Sequence, residues 1–75
     1  MLTTERLVHP GGYHTPWHSH HAGQLWRIAA GLLVIETPLG RSVVPAKHIG
    51  WIPPGQQHAA FSESAVEGDR KSTRL

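Results

Sequence analysis

The sequence contains no cysteine, which excludes disulfide bonds and thiolate metal ligands. It also lacks any apolar run near the roughly 20 residues that span a membrane. Its first ten residues do not show the basic-then-apolar order of a signal peptide. The formal net charge is only +2, and three of the basic residues lie near the end of the chain, which favours a solvated tail over a nucleic-acid surface. We therefore expect a cytoplasmic protein with no membrane partner.

A chain of 75 residues forms one domain at most. A domain of this size buries only about two-thirds of the surface that its unfolded form exposes. Such domains often depend on a metal ion or on a partner subunit for stability. With cysteine absent, the seven histidines provide most of the capacity of this chain to bind a metal ion.

Glycine and proline recur along the chain and no useful helical stripe of apolar residues is present, which is typical of an all-β domain. We predict five strands, the first two joined as a hairpin through the turn Ala30-Gly31 and the next connection made by the turn TPLG. Short strands at this spacing indicate a sandwich or a barrel. The predicted strands are residues 24–29, 32–37, 41–46, 48–54 and 56–61.

The last residues, 63–75, are polar and charged without any period, which predicts a disordered tail after a domain spanning residues 1–62. A barrel that stops after Phe61 has few strands with which to close. Either the chain is a fragment of a larger protein, or a partner subunit covers the open edges.

Four histidines lie within residues 14–21, in the stretch HTPWHSHH. They are open to three interpretations: metal ligands, a pH-sensitive surface or the accidental composition of a loop. In an extended segment, side chains two residues apart share a face, so His18 and His20 point together and His21 points away. Gln24 opens the following strand, and His58 begins the last one, where a barrel would bring it back across from the first.

The order Gly12, five residues, His18-Ser19-His20, three residues, Gln24, six residues, Gly31 resembles the first signature motif of the cupin superfamily. All of the spacings agree with that motif. The one departure is the amide of Gln24 where the motif has glutamate.

The stretch PPGQQHAAFS resembles the second cupin motif through Pro53, Gly55 and His58. Two residues depart from it, since Ser62 stands at the asparagine position and Lys47 at the opening glycine. Together the two motifs cover residues 9–62, most of the chain.

The resemblance implies an all-β fold, a small cupin (RmlC-like jelly-roll) barrel that is truncated or incompletely closed. It implies the metal ligands His18, His20, Gln24 and His58, a set compatible with Zn, Ni, Fe, Cu or Mn. Trp26 shares strand parity with Gln24 and is expected to line the same cavity, as is His14 just before the motif. We further expect all three tryptophans to pack in the core.

Within the superfamily, the chain looks most like the N-terminal effector-sensing domain of AraC-type transcription regulators, on the basis of His-x-His, Gly-Gln-Leu, VVP and WIPP followed by histidine. That resemblance implies a small-molecule effector, a homodimer, and DNA binding only through a helix-turn-helix region that these residues do not contain. Neutral Gln24 cannot exchange protons as a catalytic carboxylate does, which favours a sensor. The alternatives are a stand-alone metal-dependent cupin enzyme of the dioxygenase, isomerase or lyase type, and a metal-free interaction module.

Overall fold

The computed structural model describes residues 2–73, which form eight strands in two antiparallel sheets. The first sheet contains, in spatial order, β1 (Leu2–His9), β8 (Val66–Thr73), β3 (Gly23–Ala30) and β6 (His48–Ile52). The second sheet contains β2 (Tyr13–His14), β7 (Ala59–Ser62), β4 (Leu32–Thr37) and β5 (Gly40–Pro45). The chain passes from one sheet to the other at every connection except that between β4 and β5.

The core lies between the two sheets and is made by the inward side chains of alternate strand positions. Trp26 and Ile28 on β3 face Leu33 and Ile35 on β4, and all four are buried. The cluster is completed by Leu7 of β1, Val44 of β5, Ile52 of β6, Ala60 of β7 and Val66 of β8. The alternation of apolar and polar residues in the predicted strands therefore identifies correctly which face of each strand is buried. Among residues 2–73 there is no helix long and apolar enough to cross a bilayer.

The all-β fold and the five predicted strands are confirmed, with small changes at their ends. The turn TPLG joins β4 and β5 as a true hairpin, in which Thr37 pairs with Gly40. The two sheets are not joined to each other by strand pairing within residues 2–73, so the barrel is incompletely closed, as expected.

The predicted hairpin of residues 24–29 with 32–37 is wrong, because β3 and β4 lie in different sheets. Both edges of β3 are already paired, one with β6 and the other with β8, so β4 has no free edge to join. The chain crosses between the sheets at Gly31, which has a φ of +83°. A Cβ at Gly31 would lie 2.2 Å from the carbonyl oxygen of Ala65, so only glycine fits.

Residues 66–73 do not form the disordered tail that their composition predicted, since they form β8 in the centre of the first sheet. A polar strand is stable there because its backbone is paired on both sides, with β1 and with β3. Ion pairs also join it to its neighbours: Arg6 with Glu67, Arg27 with Asp69, and Arg70 with Glu5. Residues 74 and 75 of the predicted tail lie outside the described residues.

The tryptophans do not all pack in the core. Trp26 is buried, whereas Trp17 and Trp51 are about half exposed. Trp51 lies on the outer face of the first sheet, where its ring covers Gly23 so closely that a Cβ there would lie 2.3 Å from the indole. Lys47, which stands at the motif's glycine position, has a φ of +68°, a conformation that explains why glycine suits that position.

Candidate metal centre

Three histidine side chains from distant parts of the chain converge at one place. His18, His20 and His58 each offer one ring nitrogen, and these nitrogens lie within 4.8 Å of one another. The ring centroids of His18 and His20 are 4.7 Å apart, and those of His18 and His58 are 4.4 Å apart. Zn–N bonds measure about 2.0–2.1 Å, so two nitrogens on one ion lie at most about 4.2 Å apart, and the rings would move closer together on binding.

The backbone fixes this convergence before any ligand is bound. His18 and His58 form a reciprocal antiparallel bridge, with N–H donated from His18 to the His58 carbonyl at 2.9 Å and the reverse bond at 2.8 Å. Gly55 N–H donates to the carbonyl oxygen of His20 at 2.7 Å. Thr15 N–H donates to the carbonyl oxygen of Ala60 at 2.9 Å, and Ala60 N–H donates to the hydroxyl oxygen of Thr15 at 2.9 Å. The loop that carries His18 and His20 is therefore held to the loop that carries His58.

Hydrogen bonds to backbone carbonyls set the tautomers of two of the histidines. Nδ1 of His58 lies 2.8 Å from the carbonyl oxygen of Gln56, and Nδ1 of His18 lies 2.6 Å from that of Pro16. A carbonyl oxygen can only accept, so each Nδ1 carries the proton and each Nε2 keeps its lone pair. This is the arrangement by which proteins orient metal-binding imidazoles.

Two of the nitrogens that would bind the ion are left without hydrogen-bond partners in the described part of the chain. Nε2 of His20 and Nε2 of His58 are both buried and have no hydrogen bond within the described part of the chain. Burial lowers the pKa of His20 and of His58, and the neighbouring histidines lower the pKa of His20 further. Both rings therefore remain neutral near pH 7, which is the form that binds a metal ion.

Gln24 on β3 is a further buried polar residue. Its side chain is 3% exposed, and Oε1 has no hydrogen-bond donor among residues 2–73. A buried amide oxygen without a donor costs free energy unless something else satisfies it. Imidazole nitrogen and amide oxygen are both ligands for divalent cations, so the chemistry of these residues fits such an ion.

The other predicted site residues have different positions. His14 lies on β2 and is exposed, and it is not part of the histidine cluster. Trp26 is 1% exposed and lines a small cavity of about 100 Å³ beside Tyr13 and Arg70. His9 packs against Tyr13, and His21 and His48 are exposed; none of the three belongs to the histidine cluster.

Sequence reasoning missed Arg70, which it placed in a tail. Arg70 pairs with Trp26 across β8 and β3, and its guanidinium carbon lies 5.1 Å from the ring centroid of Trp26. Residues directly opposite in an antiparallel pair share a face, so Arg70 points inward. In this segment the inward residues Val66, Gly68 and Arg70 alternate with outward acidic residues. This alternation is typical of a strand and could have predicted the inward position of Arg70.

Solved structures with the same architecture were found at low sequence identity. A cupin-2 domain protein from Shewanella frigidimarina matches with a TM-score of 0.83 and 18% identity, over 97% of this chain and 71% of that chain. A cupin-like protein from Thermotoga maritima matches with a TM-score of 0.86 and 21% identity, over 99% of this chain and 58% of that chain. The chain has the cupin fold. A Cupin 2 conserved barrel domain protein from Salinispora arenicola also matches, with a TM-score of 0.76 and 18% identity, over 99% of this chain and 76% of that chain.

At these identities the similarity establishes the fold alone. No family model matches the sequence, and no curated protein matches it. Within this cupin fold, the two stretches that resemble cupin motifs meet at the bridge between His18 and His58. The histidine cluster therefore lies where those two stretches come together.

Proposed function

We propose that this cupin domain binds one divalent metal ion through His18, His20, His58 and Gln24 and presents it to a small-molecule ligand. The observation that carries the proposal is the convergence of three imidazoles, two of which, His20 and His58, have a buried Nε2 without a hydrogen-bond partner in residues 2–73. When bound, the ion supplies attraction for an anionic or polar atom of the ligand. The protein contributes the fixed positions and neutral state of its ligands.

The composition of the ligand set favours binding over catalysis. All four groups are neutral, so a divalent ion keeps its full charge in the site. None of the four can act as a carboxylate that takes up and releases protons during turnover. We therefore favour a sensor domain of the AraC-type regulator kind, which would bind a small effector as a homodimer and act on DNA through a helix-turn-helix region elsewhere.

Elemental analysis and thermal denaturation of the purified protein test the metal site. We expect about one divalent ion per chain and a rise in Tm when Zn²⁺ is added, because an ion that binds only the folded state stabilises it. The double variant His18→Ala/His58→Ala should lose both. Its matched control, His21→Ala/His48→Ala, also removes two imidazoles, but from exposed positions, and should retain both.

Equal and low metal contents in the wild-type protein and both variants, with no shift in Tm, would overturn the proposal. If metal binds, the enzyme alternative is tested next. A dioxygenase, isomerase or lyase would use the same residues with an open coordination position for its substrate. Turnover of any substrate that disappears in His18→Ala/His58→Ala would favour the enzyme, whereas ligand binding without turnover would favour the sensor.

A further inference from the structure

A small polar cavity lies against β1, β3 and β8 of the first sheet. Its volume is about 100 Å³, and its lining includes Glu5, Arg6, Tyr13, Trp26 and Arg70. One water in the liquid occupies about 30 Å³, so the cavity has room for a few waters or for a small organic anion. Gln24 pairs with Ser72 and Trp26 pairs with Arg70, so Arg70 is a diagonal neighbour of Gln24, at a distance of about 7–8 Å for such positions.

From this geometry we infer that Arg70 binds the carboxylate of a small organic acid, which takes the place now held by the carboxylate of Glu5. The inference rests on the proposed function, in that it treats this cavity as the ligand end of the same site. It assigns the ligand a chemical class, a small carboxylic acid, that the metal ligands alone do not give.

The present partner of Arg70 is held in a way that allows its replacement. Oε2 of Glu5 accepts one bond from Nη2 of Arg70 at 2.6 Å. The side chain of Glu5 is 66% exposed, whereas that of Arg70 is only 21% exposed. Glu5 therefore sits at the rim and can turn into solvent at little cost, while Arg70 stays in place against the Trp26 ring. A ligand carboxylate that engages two N–H groups of the guanidinium would bind it more strongly than this single contact does.

A second donor in the same cavity lacks an acceptor. Nε1 of Trp26 is buried and has no hydrogen-bond partner in residues 2–73. A buried N–H without an acceptor is costly, and a carboxylate oxygen would satisfy it. Burial raises the pKa of Tyr13, so its hydroxyl also remains protonated and able to donate.

The charges around the cavity favour an anion once Glu5 turns outward. The formal charges that remain in its lining are then those of Arg70 and Arg6, and both are positive. A divalent ion held by neutral ligands would add to the positive potential. A neutral ligand of the same shape would gain from none of these charges.

The test follows the indole N–H signals of the protein by ¹H–¹⁵N NMR during titration with acetate, in the presence and absence of Zn²⁺. The signal of Trp26 should move with acetate and stay still with acetamide, the neutral isostere. The signals of Trp17 and Trp51, which are exposed, serve as internal references. Equal responses to acetate and acetamide, or a Trp26 signal that does not move, would overturn the inference.

Three variants identify the residue responsible. Arg70→Gln should weaken acetate binding by about tenfold or more, since a charge-assisted bidentate contact is lost. The matched control Arg27→Gln, which breaks an ion pair on the outer face of the same sheet and does not line the cavity, should leave it unchanged. Glu5→Gln should tighten binding by removing the competing carboxylate. If Arg70 merely supported the fold, Glu5→Gln would have no effect, so this variant decides the question even if Arg70→Gln folds poorly.

The two proposals fail in distinguishable ways. Zinc binding with no response of Trp26 to acetate would overturn the carboxylate site and leave the metal centre standing. A response of Trp26 to acetate without any zinc binding would support the carboxylate role of Arg70 while overturning the proposed function.

Discussion

At the scale of single residues, Gln24 is the most informative departure from the cupin motif. Its buried amide oxygen has no donor in residues 2–73, and it stands where the motif has a carboxylate. The amide keeps the site neutral, so the folded protein does not bury an unpaired negative charge when no ion is bound. With glutamine at this position, however, the site lacks the carboxylate of the motif, which is the ligand that would bind a cation most strongly.

We predict that Gln24→Glu has opposite effects on the two states of the protein. It should lower the Tm of the metal-free protein, because a carboxylate is then buried without a partner. It should tighten Zn²⁺ binding by about tenfold or more, equivalent to at least about 1.4 kcal/mol, because an anionic ligand now contacts the ion. Calorimetric titration and thermal denaturation measure the two effects. The control Gln57→Glu changes an exposed amide and should alter neither; unchanged zinc affinity in Gln24→Glu would show that this residue is not a ligand.

The buried histidines give the metal-free protein a predictable dependence on pH. Burial holds the pKa of His20 and of His58 below their ordinary value in the folded state. As pH falls below about 6.5, the unfolded chain therefore takes up protons that the folded protein does not. The free energy of unfolding should fall through this interval and level off below the folded-state pKa values.

Urea denaturation at about pH 7.5 and about pH 5, on either side of the ordinary histidine pKa, measures this loss. His58→Gln should reduce the difference between the two pH values, because it removes one of the two groups. A metal-free protein equally stable at both pH values would contradict the neutral, buried state assigned to His20 and His58.

At the scale of elements, the sequence was a good guide to strands that alternate apolar and polar residues and a poor guide to their partners. β3, β4, β5, β6 and β7 were all predicted, because their inward positions carry residues such as Ile28, Leu33 and Val44. The partner of β3 was predicted wrongly. The local sequence favours a hairpin with β4, but in the structure β3 pairs with the distant strands β6 and β8 instead.

β8 was missed because its stability depends on partners that composition does not show. Its residues VEGDRKST contain one apolar side chain, and the strand is held by two neighbouring backbones and three ion pairs. The histidine cluster could be predicted, because motif spacing and strand parity both selected His18, His20 and His58. Arg70 could not, because its role depends on β8 being a strand.

The central position of β8 predicts a strong effect at Gly68. A Cβ there would lie 2.1 Å from the carbonyl oxygen of Arg27, so Gly68→Ala forces β8 away from β3. We expect a loss of about 1–3 kcal/mol in the free energy of unfolding, as for other overpacked sites. The control Gly11→Ala adds a methyl group with nothing within 4 Å and should change it by less than about 0.5 kcal/mol. A neutral Gly68→Ala would mean that residues 66–73 are a tail after all.

At the scale of the whole molecule, the two sheets leave edges that are not paired within residues 2–73. β6 is an edge of the first sheet and β5 an edge of the second. A groove of about 400 Å³ lies between them and is lined in part by the exposed side chains of Leu39, Val43 and Ile49. Exposed apolar edges of this kind are normally covered, which is the basis for our proposal of a homodimer.

We predict that this groove forms the dimer contact. Light scattering after gel filtration should give the mass of two chains for the wild-type protein and of one chain for Val43→Asp, because a charge there would be buried against the partner copy. The control Val8→Asp places the same charge at a similarly exposed position on β1, outside the groove, and should remain dimeric. A wild-type protein that is monomeric at high concentration would contradict the proposed homodimer.

The proposed metal centre requires His18, His20 and His58 to bind one metal ion together. X-ray absorption spectroscopy at the zinc edge of the Zn²⁺-loaded protein tests it most directly, because it reports the number and type of ligand atoms. We predict three imidazole nitrogens at about 2.0–2.1 Å with an oxygen ligand completing the shell, and two imidazoles in His58→Ala. A shell of oxygen atoms alone, or an imidazole count that His58→Ala leaves unchanged, would contradict the claim.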